Sequence, residues 1–145
     1  MGKRTISFEI CDHLPPRKDG ATSMWKKRSE LPRLIALRRG ARHAFGSQQP
    51  LSQPLSLSLE LHIGPLNNRA IGDLDNFITG VCDGLQACSA GTALHGAWAA
   101  PEMRDINPQR AIGFLDDVLV VEISARKVVE VDDRAPWYRV SIRPN

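Results

Sequence analysis

Alternating apolar and polar residues mark three stretches of this chain. Residues 5–10, Leu55–Ile63 and residues 137–143 each alternate, which predicts three strands with one buried face apiece. Residues 117–127 hold the strongest apolar run of the chain, between positions 118 and 123. That run predicts a further strand, apolar enough to lie in the centre of a sheet.

Two other stretches follow the helical period. The apolar residues of segment 74–85 recur three and four positions apart, which predicts a helix with one buried stripe. Residues 29–46 predict an earlier helix that begins at an N-cap serine, Ser29, although Arg38 interrupts its apolar arc. The predicted order of elements is therefore β-α-β-α-β-β.

Length and composition restrict the class of protein. A chain of 145 residues is large enough for a single domain with its own core. No apolar run approaches the roughly 20 residues of a membrane-spanning helix, so we expect no membrane partner. The three cysteines are irregularly spaced, which indicates reduced thiols and a cytoplasmic protein.

Positive charge is concentrated at the start of the chain. Residues 1–50 have a net charge of +7, and residues 51–145 have a net charge of −4. A basic half beside an acidic site suits a polyanion such as DNA, although a solvated basic face is the alternative interpretation. The candidate DNA contacts are Lys26, Lys27, Arg28, Arg38, Arg39 and Arg42.

Aspartates cluster at the starts of two predicted elements. Asp73 and Asp75 open the second helix, and Asp116 and Asp117 open the apolar strand. Each group has an ordinary structural interpretation, as a helix cap or as a turn. Brought together, they would form a site for a hard cation, because Mg²⁺ prefers oxygen ligands.

Three separated motifs occur in a specific order. They are Gly-Asp-Leu-Asp-Asn at residues 72–76, Asp-Gly-Leu at residues 83–85, and Leu-Asp-Asp at residues 115–117. In this respect the chain resembles the RusA-type Holliday junction resolvases. The resemblance implies an α+β fold: a small mixed β-sheet with flanking helices, in a single domain over residues 1–145. It also implies a homodimer, and it makes residues 86–110 an insertion.

The resemblance implies a metal-dependent endodeoxyribonuclease that resolves four-way DNA junctions by paired nicking. Asp73, Asp75 and Asp117 would hold Mg²⁺, with Mn²⁺ as a possible substitute and Asp116 as a secondary ligand. Two alternatives remain open. The chain is a nuclease for other branched DNA, such as flaps or forks, or it is a catalytically impaired protein that binds junctions.

One position departs from the family pattern. The family carries a lysine one helical turn after the second aspartate of its Asp-Leu-Asp-Asn motif, and this chain has Thr79 there. A threonine hydroxyl can hydrogen-bond a phosphate but brings no positive charge. Arg69, just before the helix, and Lys127, at the end of the third strand, are the candidates to supply that charge.

Overall fold

The computed structural model describes residues 4–18, 23–70 and 74–145, apart from the side chains of residues 69 and 70. Asp73 and the side chain of Arg69, both singled out by the sequence, lie outside the described residues. In the ranges described, no helix combines the length and the apolarity needed to cross a membrane.

The described ranges form a mixed four-stranded sheet with helices, which confirms the predicted α+β class. The structure adds four short elements to the predicted order. They are a helix at Pro65–Ala70 and three 3₁₀ turns, at Gly96–Ala99, Pro101–Ile106 and Asp117–Leu119. In chain order the main elements are β1 (Ile6–Cys11), α1 (Leu31–Phe45), β2 (Leu55–Ile63), α2 (Pro65–Ala70), α3 (Leu74–Leu85), β3 (Val120–Val129) and β4 (Trp137–Pro144).

The strands lie in the order β1-β4-β2-β3. β4 pairs antiparallel with both β1 and β2, and β3 pairs parallel with β2. The prediction that the apolar strand is central is therefore wrong, because β3 lies at the edge of the sheet. Three residues of the apolar run face solvent, since Val118, just before the strand, Val121 and Ile123 are 76%, 58% and 53% exposed. Leu119 and Val120 are partly buried against the core.

One face of the sheet carries the core. Alternate residues of β2, from Leu55 to Ile63, are buried, and so are Tyr138, Val140 and Ile142 of β4. The buried residues of α1 and α3 belong to the same core cluster as these strand residues. The side chains of a strand alternate between its two faces, and the other face is mostly polar apart from one row that contains Cys11, Trp137 and Val128.

The start of α1 differs from the prediction. The helix begins at Leu31, so Glu30 rather than Ser29 occupies the N-cap position, and it makes no side-chain cap. The Glu30 side chain is buried and instead accepts a 2.7 Å hydrogen bond from the backbone N–H of Arg17. That contact ties the loop after β1 to the start of the helix.

Arg38 is not a DNA contact, because its side chain is completely buried. Its guanidinium donates hydrogen bonds to five backbone carbonyls and lies 5.2 Å from the centre of the Trp25 ring. Burial lowers the pKa of Arg38 to about 10, so the group stays charged at neutral pH. The accepting carbonyls belong to Gly84, Gln86, Ile106, Asn107 and Arg110.

We expect Arg38→Met to destabilise the protein by about 3 kcal/mol or more, because it leaves several buried carbonyls without a donor. Arg39→Met, one position along at an exposed site, should change stability by less than about 0.5 kcal/mol. Urea unfolding of both variants measures the difference. Equal stabilities for the two variants would contradict the structural role given to Arg38.

Candidate active site

An acidic cavity of about 560 Å³ opens beside the C-terminal half of α3. Its carboxylates come from Asp83 on α3 and from Asp116 and Asp117, at the 3₁₀ turn that leads into β3. Lys18, in the loop after β1, lines the same cavity. Among the described residues that line it, Lys18 is the only basic one. Three negative charges and one positive charge therefore converge on an open cleft.

Close packing of the loop after β1 against α3 positions Lys18. A side chain at Gly80 would collide with the carbonyl of Pro16, so glycine is required for this approach. Two residues further on, the backbone N–H of Lys18 donates to the carbonyl of Asn76 at 3.1 Å. The sequence places Gly80 on the helix at the point where the loop crosses it.

Lys18 is paired with the carboxylate of Asp83. Its Nζ atom lies 2.5 Å from Oδ2 of Asp83, and the hydrogen bond and charge of Asp83 raise the pKa of Lys18. The charge of Asp117 acts in the same direction. More than half of the Lys18 side chain is nevertheless exposed, so solvent screens the pair and the amine can move.

Gln86 connects the helix to the 3₁₀ turn. Its Oε1 accepts a 3.1 Å hydrogen bond from the backbone N–H of Asp117, and its Nε2 donates to Asp83 at 3.4 Å. Asp116 caps the turn by accepting from the N–H of Val118. Burial, with the nearby charges of Asp83 and Asp117, raises the pKa of the Cys82 thiol to about 12, so this thiol is not a nucleophile at neutral pH.

The predicted aspartates do not all meet at this cavity. Asp116 and Asp117 line it, whereas Asp75 is exposed on the first turn of α3 and does not. Asp75 precedes Asp83 by eight residues, which is about 12 Å along a helix. Asp73 lies outside the described residues.

Thr79, at the position of the family's lysine, and Lys127 both lie away from the cavity, whereas the side chain of Arg69 is outside the described residues. Thr79 is exposed and donates its hydroxyl proton to the carbonyl of Asp75 at 2.8 Å, so that proton is committed to its own helix. Lys127 follows Asp117 by ten residues, most of them in extended β3, which places it roughly 20 Å or more away. It therefore cannot serve a site at Asp117.

Several of the predicted DNA contacts remain accessible near the cavity. Lys26 and Arg28 are exposed and Lys27 half-buried, directly after the cavity-lining Trp25. Arg39 is exposed on α1. Arg42 and Arg110 line a neighbouring cavity of about 220 Å³, which shares Leu115 with the acidic one.

Trp25 packs on the core and is not available to stack a base. It is 5% exposed, and its ring centre lies 5.7 Å from that of Trp98. The indole N–H of Trp98 donates to the carbonyl of Trp25 at 3.2 Å. Trp98 thus anchors the segment between α3 and β3, where the sequence shows no sustained period.

Sequence reasoning missed three residues of the site, Lys18, Asp83 and Gln86. Asp83 carried a signal, because it lies on the polar side of α3 and within one of the three motifs. Lys18 was only one of many basic residues in the first half of the chain. Gln86 carried no signal, since its role depends on two carboxylate-bearing segments that meet only in the folded chain.

The donor set suits a hard cation, because its side chains offer carboxylate oxygens. Asp83 and Asp117 are the natural ligands, since Gln86 contacts both residues. In the part of the chain that is described, no three Asp, Glu, His or Cys side chains are grouped closely enough to hold a metal ion together. A complete site would therefore need a further ligand, and a movement of Lys18 away from Asp83 to free that carboxylate.

Comparison with known proteins adds no relative. Neither a protein-family model nor a curated protein matches this chain. The resemblance to the RusA-type resolvases therefore rests on the three motifs alone.

We expect millimolar Mg²⁺ or Mn²⁺ to raise the melting temperature of the native protein, because a bound cation relieves repulsion between carboxylates. The shift should be clearly smaller in Asp83→Asn and Asp117→Asn. It should be kept in Asp105→Asn, which removes an exposed carboxylate outside the cavity. Thermal scans of the variants with and without cation measure these shifts.

Asp75→Asn decides whether Asp75 belongs to the same site. If the cation raises the melting temperature of this variant as much as that of the native protein, Asp75 does not belong to the cation site. Native-sized shifts in both Asp83→Asn and Asp117→Asn would contradict a cation site in the cavity.

Proposed function

We propose that this chain is a Mg²⁺-dependent endonuclease that cuts branched DNA, with the four-way junction as its substrate. The observation that carries the proposal is the open acidic cavity that gathers Asp83, Asp116 and Asp117 beside Lys18. All three aspartates belong to the motifs that resemble the RusA-type resolvases. Asp116 and Asp117 lie at the 3₁₀ turn, and Asp83 lies on α3. Homodimerisation, which paired nicking of a two-fold junction requires, is part of the proposal.

The position of the basic residues supports a DNA substrate. A phosphodiester that enters the cavity would pass the turn with Lys26 and Arg28, and the neighbouring cavity adds Arg42 and Arg110. Such residues neutralise phosphates and release counterions, which strengthens binding without regard to sequence. Basic side chains near the carboxylates therefore support a substrate that carries phosphates.

Each residue of the cavity has a chemical role in this proposal. Asp83 and Asp117 would hold the cation, and Gln86 would link the two segments through the Asp83 carboxylate and the backbone N–H of Asp117. A bound divalent cation orients and activates water for in-line attack and neutralises charge on the phosphorus oxygens. Lys18, once released from Asp83, places its ammonium against the scissile phosphate. It thereby supplies the positive charge that Thr79 lacks.

The pairing of Lys18 with Asp83 also favours a second candidate, a junction-binding protein without catalysis. An ammonium 2.5 Å from the carboxylate already neutralises part of the charge that would hold a metal. In that case the protein would bind junctions through its basic residues and would not cut them. Nucleases acting on flaps or forks differ from the main proposal only in substrate and would share its cavity.

We propose a cytoplasmic location. Cys11, Cys82 and Cys88 are all free thiols. Reduced cysteines are usual in compartments with a reducing thiol pool, whereas secreted proteins tend to pair them.

Asp117→Asn should separate cutting from binding. We expect single-turnover cutting of a synthetic four-way junction in Mg²⁺ to fall by at least about 100-fold, because a cation ligand is lost. Junction affinity should stay the same or rise, because one negative charge near the phosphates is removed.

Asp105→Asn is the matched control and should cut at the native rate. Linear duplex, flap and fork substrates define the specificity in the same assay. Native-rate cutting by Asp117→Asn would remove the cavity as the active site, and a native protein that binds junctions but never cuts them would support the non-catalytic alternative.

Lys18→Ala tests the source of the positive charge. We expect its cutting rate at saturating enzyme to fall at least about tenfold, with less change in junction affinity. Lys26→Ala, in the same loop region, should weaken affinity and leave the rate at saturation unchanged. If Arg69 supplies the charge instead, Arg69→Ala will cut the junction more slowly and Lys18→Ala will cut it at the native rate.

A further inference from the structure

The outer face of the sheet carries side chains in rows that cross all four strands. One row consists of alternating acids and bases, Glu9, Arg139, Glu60 and Arg126, paired strand to strand. Arg139 contacts Glu9 at 2.7 Å and Glu60 at 3.0 Å, and Arg126 contacts Glu60 at 3.1 Å. The alternation ends at Arg126, on the edge strand β3.

A second row contains only serines. Ser7, Ser141, Ser58 and Ser124 are neighbours in the register of β1, β4, β2 and β3. A third row begins at the same edge with Glu122, whose carboxylate lies 3.4 Å from Arg143. Along β3 the outer face therefore reads Glu122, Ser124, Arg126, with the serine between two opposite charges.

β3 differs from β1, the strand at the other edge of the described sheet. The apolar residues of β1 are buried beneath α1, whereas Val121 and Ile123 of β3 are more than half exposed. Glu122 and Arg126 expose 66% and 69% of their side chains. An exposed edge strand with apolar residues is a template for pairing with another strand.

Symmetry limits how β3 can pair with itself. When β3 pairs antiparallel with its own copy about a two-fold axis, directly opposed side chains lie on the same face of the sheet. Because faces alternate along a strand, the residue numbers of each opposed pair must add up to an even number. A centre at Ser124 opposes Glu122 to Arg126 and overlaps residues 122–126, which lie beyond the irregularity of β3 at Val121. A centre at Val128 would oppose Arg126 to Glu130, but it overlaps only residues 127–129 of the strand.

We propose that two copies of this chain join through antiparallel pairing of their β3 strands, centred on Ser124. The two sheets then form one sheet of eight strands, and each Arg126 faces Glu122 of the partner subunit. The alternating row of charges continues across the two-fold axis, and the serine row runs the full width. On the helix side, Ile123 is covered by Ala125 of the partner subunit.

This interface deepens the proposed function, and it rests on that proposal only for the expectation of a dimer. β1 offers no equivalent, because self-pairing of residues 6–11 brings no acid opposite a base. The interface is isologous, so each substitution acts twice in the dimer.

A charge-swap experiment tests the interface. Sedimentation of the native protein without DNA or Mg²⁺ should show a dimer at micromolar concentration. Glu122→Arg and Arg126→Glu should each raise the dissociation constant at least about tenfold, because like charges then oppose each other twice. An equimolar mixture of the two variants should recover dimers to within a few-fold of native affinity, since every opposed pair is again of opposite sign.

Recovery on mixing distinguishes a lost interface from a misfolded chain, because two misfolded variants would not restore each other. A native monomer at about 100 µM, or undiminished dimers in both single variants, would overturn the proposal. A failure of junction cutting would leave these results unchanged, so the interface and the nuclease activity are tested separately.

Cysteine cross-linking tests the register. In a Cys11→Ser background, which removes the exposed thiol, Ser124→Cys should form a disulfide-linked dimer on mild oxidation. Ser7→Cys is the matched control, because it lies in the same serine row on the opposite edge strand. Cross-linking through position 7 and not position 124 would place the interface at β1 and overturn the proposal.

Discussion

The buried guanidinium of Arg38 is the interaction on which the candidate site depends. Arg38 extends from α1 and binds carbonyls at the end of α3 and in the segment that follows, up to Arg110. Six of the apolar residues of that segment are alanines, which bury little surface, so the hydrogen bonds of a charged donor add to the packing of Trp98 and Ile106 in fixing it. The same segment leads to Asp116 and Asp117, so their position beside Asp83 depends on this set of bonds together with the backbone hydrogen bonds of residues 112–115 to Leu85 and Leu51.

The cavity then combines a helix, a loop and a turn that are distant in sequence. α3 presents Asp83, the loop after β1 brings Lys18 across Gly80, and the 3₁₀ turn brings Asp117 within reach of Gln86. Such a site can gain or lose a ligand through one side-chain movement, that of Lys18. The geometry is therefore compatible with both proposed functions, the nuclease and the protein that only binds junctions.

More of the fold than of the candidate site could be predicted from the sequence. The strands at residues 5–10 and Leu55–Ile63 and the helix at residues 74–85 follow from local periodicity, which survives in any tertiary context. The edge position of β3 could not be predicted, because an apolar run does not report its neighbours in the sheet. The pairing of Asp83 with Lys18, and the burial of Arg38, depend on contacts between distant segments. The sequence held one sign that Arg38 is buried, which is its position within the apolar arc of α1.

Hydrogen exchange of Arg38→Lys tests most directly whether Arg38 holds the site together. Lysine keeps the charge but lacks the planar fork that binds several carbonyls. We expect amides between Gln86 and Asp117, including those of Cys88 and Ile112, to exchange at least about tenfold faster than in the native protein. Amides in the centre of β2 and β4 should change little. Unchanged protection of the 86–117 segment, or equal loss across the whole sheet, would contradict the account.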